Sequence, residues 1–321
     1  MKPQAWVEFV GQEYLDSFVR DGGATIKFAV SMDGSVRPQV LDGLTGRATE
    51  LGYLSVSVSA ADTKVHMIDK LFFRIAEQIP WQRLSEQIIV NLAKEERYAP
   101  PSDGDDPLLA RLAHANGTDP DFLRNVLREQ IATKVFRPRT LAKDFRIAMT
   151  RLCLAQLTGG EEGETTAGVL TDWLTGRNTS IGAVKPYQIF SRINRANARH
   201  YFESLLRWVR LAGYTGTLVV VDISRVTVAK NPKDEQLYYS KAAVLDTYEV
   251  LRELIDGTDR LEGCLVVVLP EVAFLDEDTY GRGIGAYEAL KLRIFDEIRD
   301  RQIVNPMASL VRLSSVAGAV Q

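Results

Sequence analysis

The sequence predicts an α/β fold: a parallel sheet covered by helices, interrupted by a long all-helical insertion. Three observations point there. First, apolar runs of strand length, ATIKFAVS (24–31), TGTLVVVDI (215–223) and GCLVVVLP (263–270), alternate with stretches of helical periodicity. Second, the latter two runs are continuous in Val and Leu, as a strand buried on both faces requires. Third, residues 84–160 contain no strand-like run, only helical stretches separated by Pro-, Gly- and Asp-rich breaks such as APPSDGDDP and ANGTDP.

In chain order, residues 5–20 read as a helix ending at Gly22-Gly23. The strand ATIKFAVS follows, then the turn-forming MDGSVRP, a helix over VLDGLTGRATELG that closes on Gly52, and a second strand YLSVSVSA (53–60). Residues 66–79 have helical spacing. Helices are expected near 84–96, 106–115, 119–133 and 139–157, with GGEEGETT (159–166) as a polar loop, TAGVLTDWL as a short helix and GRNTSIGAVKP as another loop. The α/β pattern then resumes: a helix over 194–212, the strand 215–223, a helix over 235–256, the strand 263–270, a helix over 286–301 and a last strand, MASLVRL (307–313). These readings divide the chain into a first part of the α/β core (1–83), a helical insertion (84–190) and a second part of the core (191–321).

Bulk properties narrow the function classes. The net charge of −3 gives no global attraction to nucleic acid, and a local basic patch stays open. Cys153 and Cys264 lie far apart in apolar surroundings, and His66, His114 and His200 lack metal-ligand spacing. The amphipathic, acidic N-terminus does not resemble a signal peptide, and the apolar runs are too short to span a bilayer. The expected compartment is the reducing cytoplasm, with the cysteines as buried free thiols.

A strand, a Gly-containing turn and a helix form the setting of a phosphate-binding loop, G-x-x-x-x-G-K-[ST]. The best register is Ser31-Met32-Asp33-Gly34-Ser35-Val36-Arg37-Pro38. Gly34 and Ser35 suit such a turn. Val36 stands where glycine lets the backbone approach phosphate, Arg37 replaces the lysine, and Pro38 removes the Mg²⁺-binding hydroxyl and a backbone donor while fitting a first helical turn. An ordinary strand–helix turn is the competing reading. TLVVVD matches the apolar strand whose terminal Asp, here Asp222, holds Mg²⁺ through water; otherwise Asp222 caps the strand. The next position, Ile223, cannot act as a base.

Longer segments carry a resemblance. INRANARHYFESLLRWVRLAGYTGTLVVVDI, LVVVLPEVAFLDEDTYGRGIGAYEALKLRI and GGATIKFAVSMDGS together resemble the BrxC/BrxD group of BREX-type phage-defence ATP-binding proteins. The resemblance implies a P-loop NTPase fold of ASCE/AAA-like type and work alongside other defence or DNA-processing proteins. It also implies ATP or ADP with Mg²⁺ as cofactor, yet the departures at Arg37, Pro38 and Ile223 fall on that chemistry. The resulting expectation is a degenerate, non-hydrolysing ATPase-like scaffold or regulator with no catalytic residue. It retains at most a vestigial nucleotide site at Gly34, Ser35, Arg37 and Asp222, with Asp222 as the sole metal-ligand candidate, and more simply has no cofactor. The C-terminal winged helix common in that group is expected to be absent.

Two alternatives stay open: an active ATPase with an atypical loop, and a DNA-binding module using residues 134–151. Arg282 and Arg293 are candidates for reaching a neighbouring subunit's phosphate in a homo-oligomer, against ordinary ion pairing with Glu288, Asp296 or Glu297. Arg137, Arg139, Lys143 and Arg146 are candidate nucleic-acid contacts, against a solvated helix face. Trp173, Tyr201 and Trp208 read as core aromatics.

Overall fold

A computed structural model describes residues 1–295 and 305–315. Two compact units emerge: Met1–Ile75 with Tyr214–Gln321, and Ala76–Gly213. The helix that precedes the Asp222 strand therefore belongs to the second unit.

The first unit begins with α1 (Pro3–Val10), which continues through wider π-type turns over Gly11–Phe18 into β1 (Ala24–Ser31). Helix α2 (Val36–Glu50) and strand β2 (Leu54–Ser59) follow. Pro38 sits in the first turn of α2, where its missing N–H has no intrahelical partner to lose. The helix ends on Gly52 at φ +77°, with Tyr53 N–H donating to Ala48 and Gly52 N–H to Thr49; this pair of bonds calls for a left-handed residue. Helix α3 (Ile68–Ala76) leads out of the unit.

The second unit holds α4 (Trp81–Glu95), α5 (Leu108–Ala115), α6 (Pro120–Gln130, continued by π-type turns to Phe136), α7 (Lys143–Thr158), α8 (Gly160–Leu174), α9 (Ile181–Val184) and α10 (Ala198–Leu211), and no strand. Its core contains a run of edge-on aromatic pairs, Trp81–Phe145–Tyr201–Trp173, with centroids 6.1, 6.0 and 5.7 Å apart. Trp208 is fully buried as well.

On returning to the first unit the chain forms β3 (Thr217–Asp222), α11 (Lys241–Asp256), β4 (Cys264–Leu269), α12 (Glu288–Ile294) and β5 (Leu310–Leu313). Among the described residues the five strands are all parallel, in the order β2-β3-β4-β1-β5. The two continuous Val/Leu strands, β3 and β4, lie inside the sheet; the alternating LSVSVS of β2 and the short β5 form its edges. One face packs on Trp6, Val10, Val36, Val40 and Leu44 from α1 and α2. On the other face, Phe28 stacks on Phe274 at 5.9 Å, and Phe274 meets Tyr248 of α11 edge-on.

Several expected boundaries are corrected. GGEEGETT is not a loop: α8 starts at Gly160, because Glu161 and Glu162 suit the positive end of a helix dipole. The expected helix over 235–256 starts only at Lys241, where the Ser240 hydroxyl accepts from Ala243 N–H. The one over 194–212 starts at Ala198, since Asn194 and Asn197 side chains take up backbone donors ahead of it. GRNTSIGAVKP carries the short α9. Of the helix expected over 286–301, residues 288–294 are helical, and 296–301 lie outside the described residues.

Candidate functional site

The strand order sets the location. From β1 the chain travels to β2, beyond β4 and β3; from β4 it travels to β5, on the other side of β1. The connections leaving the carboxyl ends of β1 and β4 thus diverge, and such a switch point opens a crevice where α/β sheets bind ligands. Register places Asp222 beside Ser59 and Leu269, and Ser31 beside Leu313 and Glu271, along this edge.

Four residues, Met32 to Ser35, join β1 to α2. Asp33 organises them. Its carboxylate accepts from Ser35 N–H at 3.2 Å and the Ser35 hydroxyl at 2.6 Å. It also accepts from Ser315 N–H and hydroxyl, each at 2.9 Å, just past β5. Ser35 and then Ser315 hold this carboxyl well below the usual carboxylate range, because they bond its charged form. The Ser35 and Ser315 donors are therefore turned to an internal anion. Gly34 has an ordinary φ, and a Cβ there would meet nothing within 4 Å, so nothing in the backbone demands glycine. The Val36 side chain points into the apolar core, 1% exposed.

Arg37, in the first turn of α2, reaches across the crevice. Its Nε lies 3.6 Å from Oδ2 of Asp222, an ion pair without a hydrogen bond, and its Nη2 is in contact with the Glu271 carboxylate. Asp222 also accepts from Ser224 N–H at 2.9 Å, a capping bond. Ile223 is buried at 1% exposure. The outcome is a cation seated between two carboxylates from neighbouring strand ends, each partly exposed. Among the described residues no group of three or more His, Cys, Asp or Glu could hold a metal ion. Glu271 was not singled out in the sequence. Its signal was its place after Pro270 at the end of an apolar strand, but its pairing with Arg37 depends on strand order.

Comparison with known proteins now adds to this geometry. A family model described as BREX system ATP-binding protein BrxC/D matches residues 108–319. The chain belongs to this family. In this BrxC/D-family chain the match spans β3, β4 and β5 but not β1 or its loop. No curated protein and no solved structure matches the chain. Among the described residues no helix is long and apolar enough to cross a membrane.

The remaining candidates fall elsewhere. Arg282 bonds within its own chain: Nη2 donates to the carbonyls of Tyr239 and, at 3.3 Å, Val226, and the guanidinium lies 5.4 Å from the Tyr238 ring centre. Arg293 pairs with Asp256, which also receives Arg252, while Asp296 and Glu297, the other expected partners, lie outside the described residues. Arg137, Arg139 and Lys143 are exposed in the helical unit, whereas Arg146 donates to the Pro138 carbonyl at 2.9 Å. Cys153 and Cys264 are buried free thiols.

Proposed function

We propose that this BrxC/D-family chain is a subunit of a BREX phage-defence assembly, built on a P-loop NTPase fold of ASCE/AAA-like type whose nucleotide site no longer hydrolyses ATP. It would act as a scaffold or regulator for other defence proteins. Support for the fold comes from the parallel sheet, the loop–helix unit after β1 at the switch point, and the apolar β3 ending in Asp222. The insertion of β4 between β1 and β3, the layout of ASCE sheets, adds to it.

One observation carries the loss of hydrolysis: the cation at the lysine position is spent on Asp222, the carboxylate that would hold magnesium through water, and on Glu271 beside it. Pro38 offers no hydroxyl to a metal, Asp33 supplies an anion at the loop, and the buried Ile223 stands where an acid would polarise water. These residues do not fit magnesium–triphosphate bound in the P-loop manner, so no catalytic step is assigned.

Phosphate release by the purified full chain with Mg-ATP tests the reading. The expected result is no turnover above the protein-free blank. Turnover at or above about 1 s⁻¹, the low end for working enzymes, abolished by Asp222→Asn, would overturn it. A second reading, ATP binding through an atypical loop, is favoured by the convergence of Arg37, Asp222 and Glu271 and by the family's description. Calorimetry decides between them: tight Mg²⁺-dependent ATP binding lost in Arg37→Ala supports the second reading, and no heat at millimolar ATP removes it.

A further inference from the structure

The helical unit carries a basic surface that the nucleotide-site reading does not use. Residues 134–146 bring Arg137, Arg139 and Lys143 to the exterior at the turn before α7. A distant segment is fastened to the same turn. Ser191 donates from N–H at 3.1 Å and from its hydroxyl to the Asp144 carboxylate in the first turn of α7. Ala142 N–H donates to the Ser204 hydroxyl at 2.8 Å, and Arg207 donates to the Thr140 carbonyl at 2.6 Å. The Ser191–Asp144 bonds bring exposed Arg192, next to Ser191, close to exposed Lys143, next to Asp144. Among the described residues none of these four cations has a carboxylate within ion-pair distance.

The carboxylates within the two segments do not neutralise this surface. Asp144 is buried and committed to Ser191, and Glu203 is buried facing Arg199 and His200. Two large aromatics stand out from the same region: Phe136, 44% exposed with Arg146 over its ring at 5.6 Å, and Phe190, 57% exposed beside Ser191. Arg146, bonded to Pro138, stiffens the turn between Phe136 and Arg139. Cations without internal partners flanked by exposed rings are the chemistry of single-strand binding: the cations follow backbone phosphates and the rings stack on unpaired bases. A solvated helix face would not require two large aromatic rings to stand partly exposed beside these cations.

We propose that this face of Ala76–Gly213 binds a single-stranded nucleic acid through Arg137, Arg139, Lys143 and Arg192, with Phe136 and Phe190 as stacking platforms. Fluorescence anisotropy with the full chain and labelled 30-nucleotide single-stranded DNA, single-stranded RNA and duplex DNA tests it. Four phosphate contacts at a slope of about −0.7 each predict affinity falling about 50-fold from 50 to 200 mM salt. The variant R137A/R139A/K143A/R192A should bind at least tenfold more weakly at 50 mM salt and show a nearly flat salt response. F136A/F190A should weaken single-strand binding about fivefold or more and leave duplex binding unchanged. K230A/K233A, which removes exposed cations outside the helical unit, should bind as wild type, and all variants should melt with the wild type. Arms with DNA and RNA distinguish the two sources of strand, and binding to either supports the proposal. No binding of either strand at 50 mM salt, full affinity in the quadruple variant, or duplex bound as tightly as single strand with F136A/F190A silent would each overturn it. So would binding confined to anionic phospholipid vesicles.

Discussion

Val36 occupies the place where a phosphate loop has glycine, and replacing it exposes what the position does in this chain. The side chain is 1% exposed, packed among Trp6, Ala29, Val40 and Leu313. Removing its three carbons forfeits about 0.8 kcal/mol per carbon, or about 2.4 kcal/mol. A glycine in a helix adds up to about 1 kcal/mol, less at this first position, so Val36→Gly should cost about 3 kcal/mol. Val36→Ala keeps one carbon and should cost about 1.6 kcal/mol. For a domain of this unit's size class, each kcal/mol lowers Tm by about 2–4 °C. Circular dichroism melts should therefore show losses of about 3–6 °C for V36A and about 6–12 °C for V36G. Calorimetry with Mg-ATP on the same V36G sample should show no gain in affinity, because Arg37 and Pro38 are unchanged. A loss under about 2 °C, below one kcal/mol, would refute the assignment of Val36 to the core. A gain of nucleotide binding would refute the claim that the loop's chemistry is lost elsewhere too.

Three further outcomes are expected. Arg282→Ala removes the donor that ties the Gly281–Gly283 turn to the Val226 and Tyr239 carbonyls; limited proteolysis should then cut within 224–240 or 276–287 at lower protease than in wild type, and an unchanged pattern would contradict the assignment. The Arg252 side chain, then the Tyr287 hydroxyl, lower Glu249 to about 2. With a folded value below the unfolded one, its stabilisation is full above about pH 4.5 and fades as pH falls toward 2. The Tm gap between wild type and Glu249→Gln should accordingly be larger at pH 7 than at pH 2.5; a constant gap would show that the ionised form is not what matters. Burial pushes the Cys153 thiol up to about 12 and Cys264 higher still, so neither should react with a thiol reagent at pH 8 until denaturant unfolds the chain; reaction in the native state would place a thiol at the surface.

Several features were legible in the residues alone. Continuous Val/Leu runs announced the central strands, since a strand covered on both faces needs apolar side chains at every position. The absence of a Lys-[ST] pair after β1 is a statement about composition in a short window, so it needed no coordinates. Family membership was also readable, because the resembling segments are themselves strings of residues. Local periodicity was weaker at helix starts: Glu161 and Glu162 looked like loop residues and instead suit the start of α8, a preference visible only once the chain turns helical there.

The tertiary structure decided which strand ends meet, and with that the meaning of the site. Arg37 read alone is a substituted lysine; next to Asp222 and Glu271 it is the middle of an ion-pair cluster. Arg282 and Arg293 read alone were free to reach a neighbour; in the fold their donors face Tyr239 and Asp256. Arg192 joined the 137–143 turn only through Asp144, Ser204 and Arg207. For Arg37, Arg282 and Arg293 the physical reason is the same. Periodicity and propensity act over a few residues and are written into the sequence, while a charge is governed by its nearest opposite charge or carbonyl, and strand order and helix packing choose that neighbour.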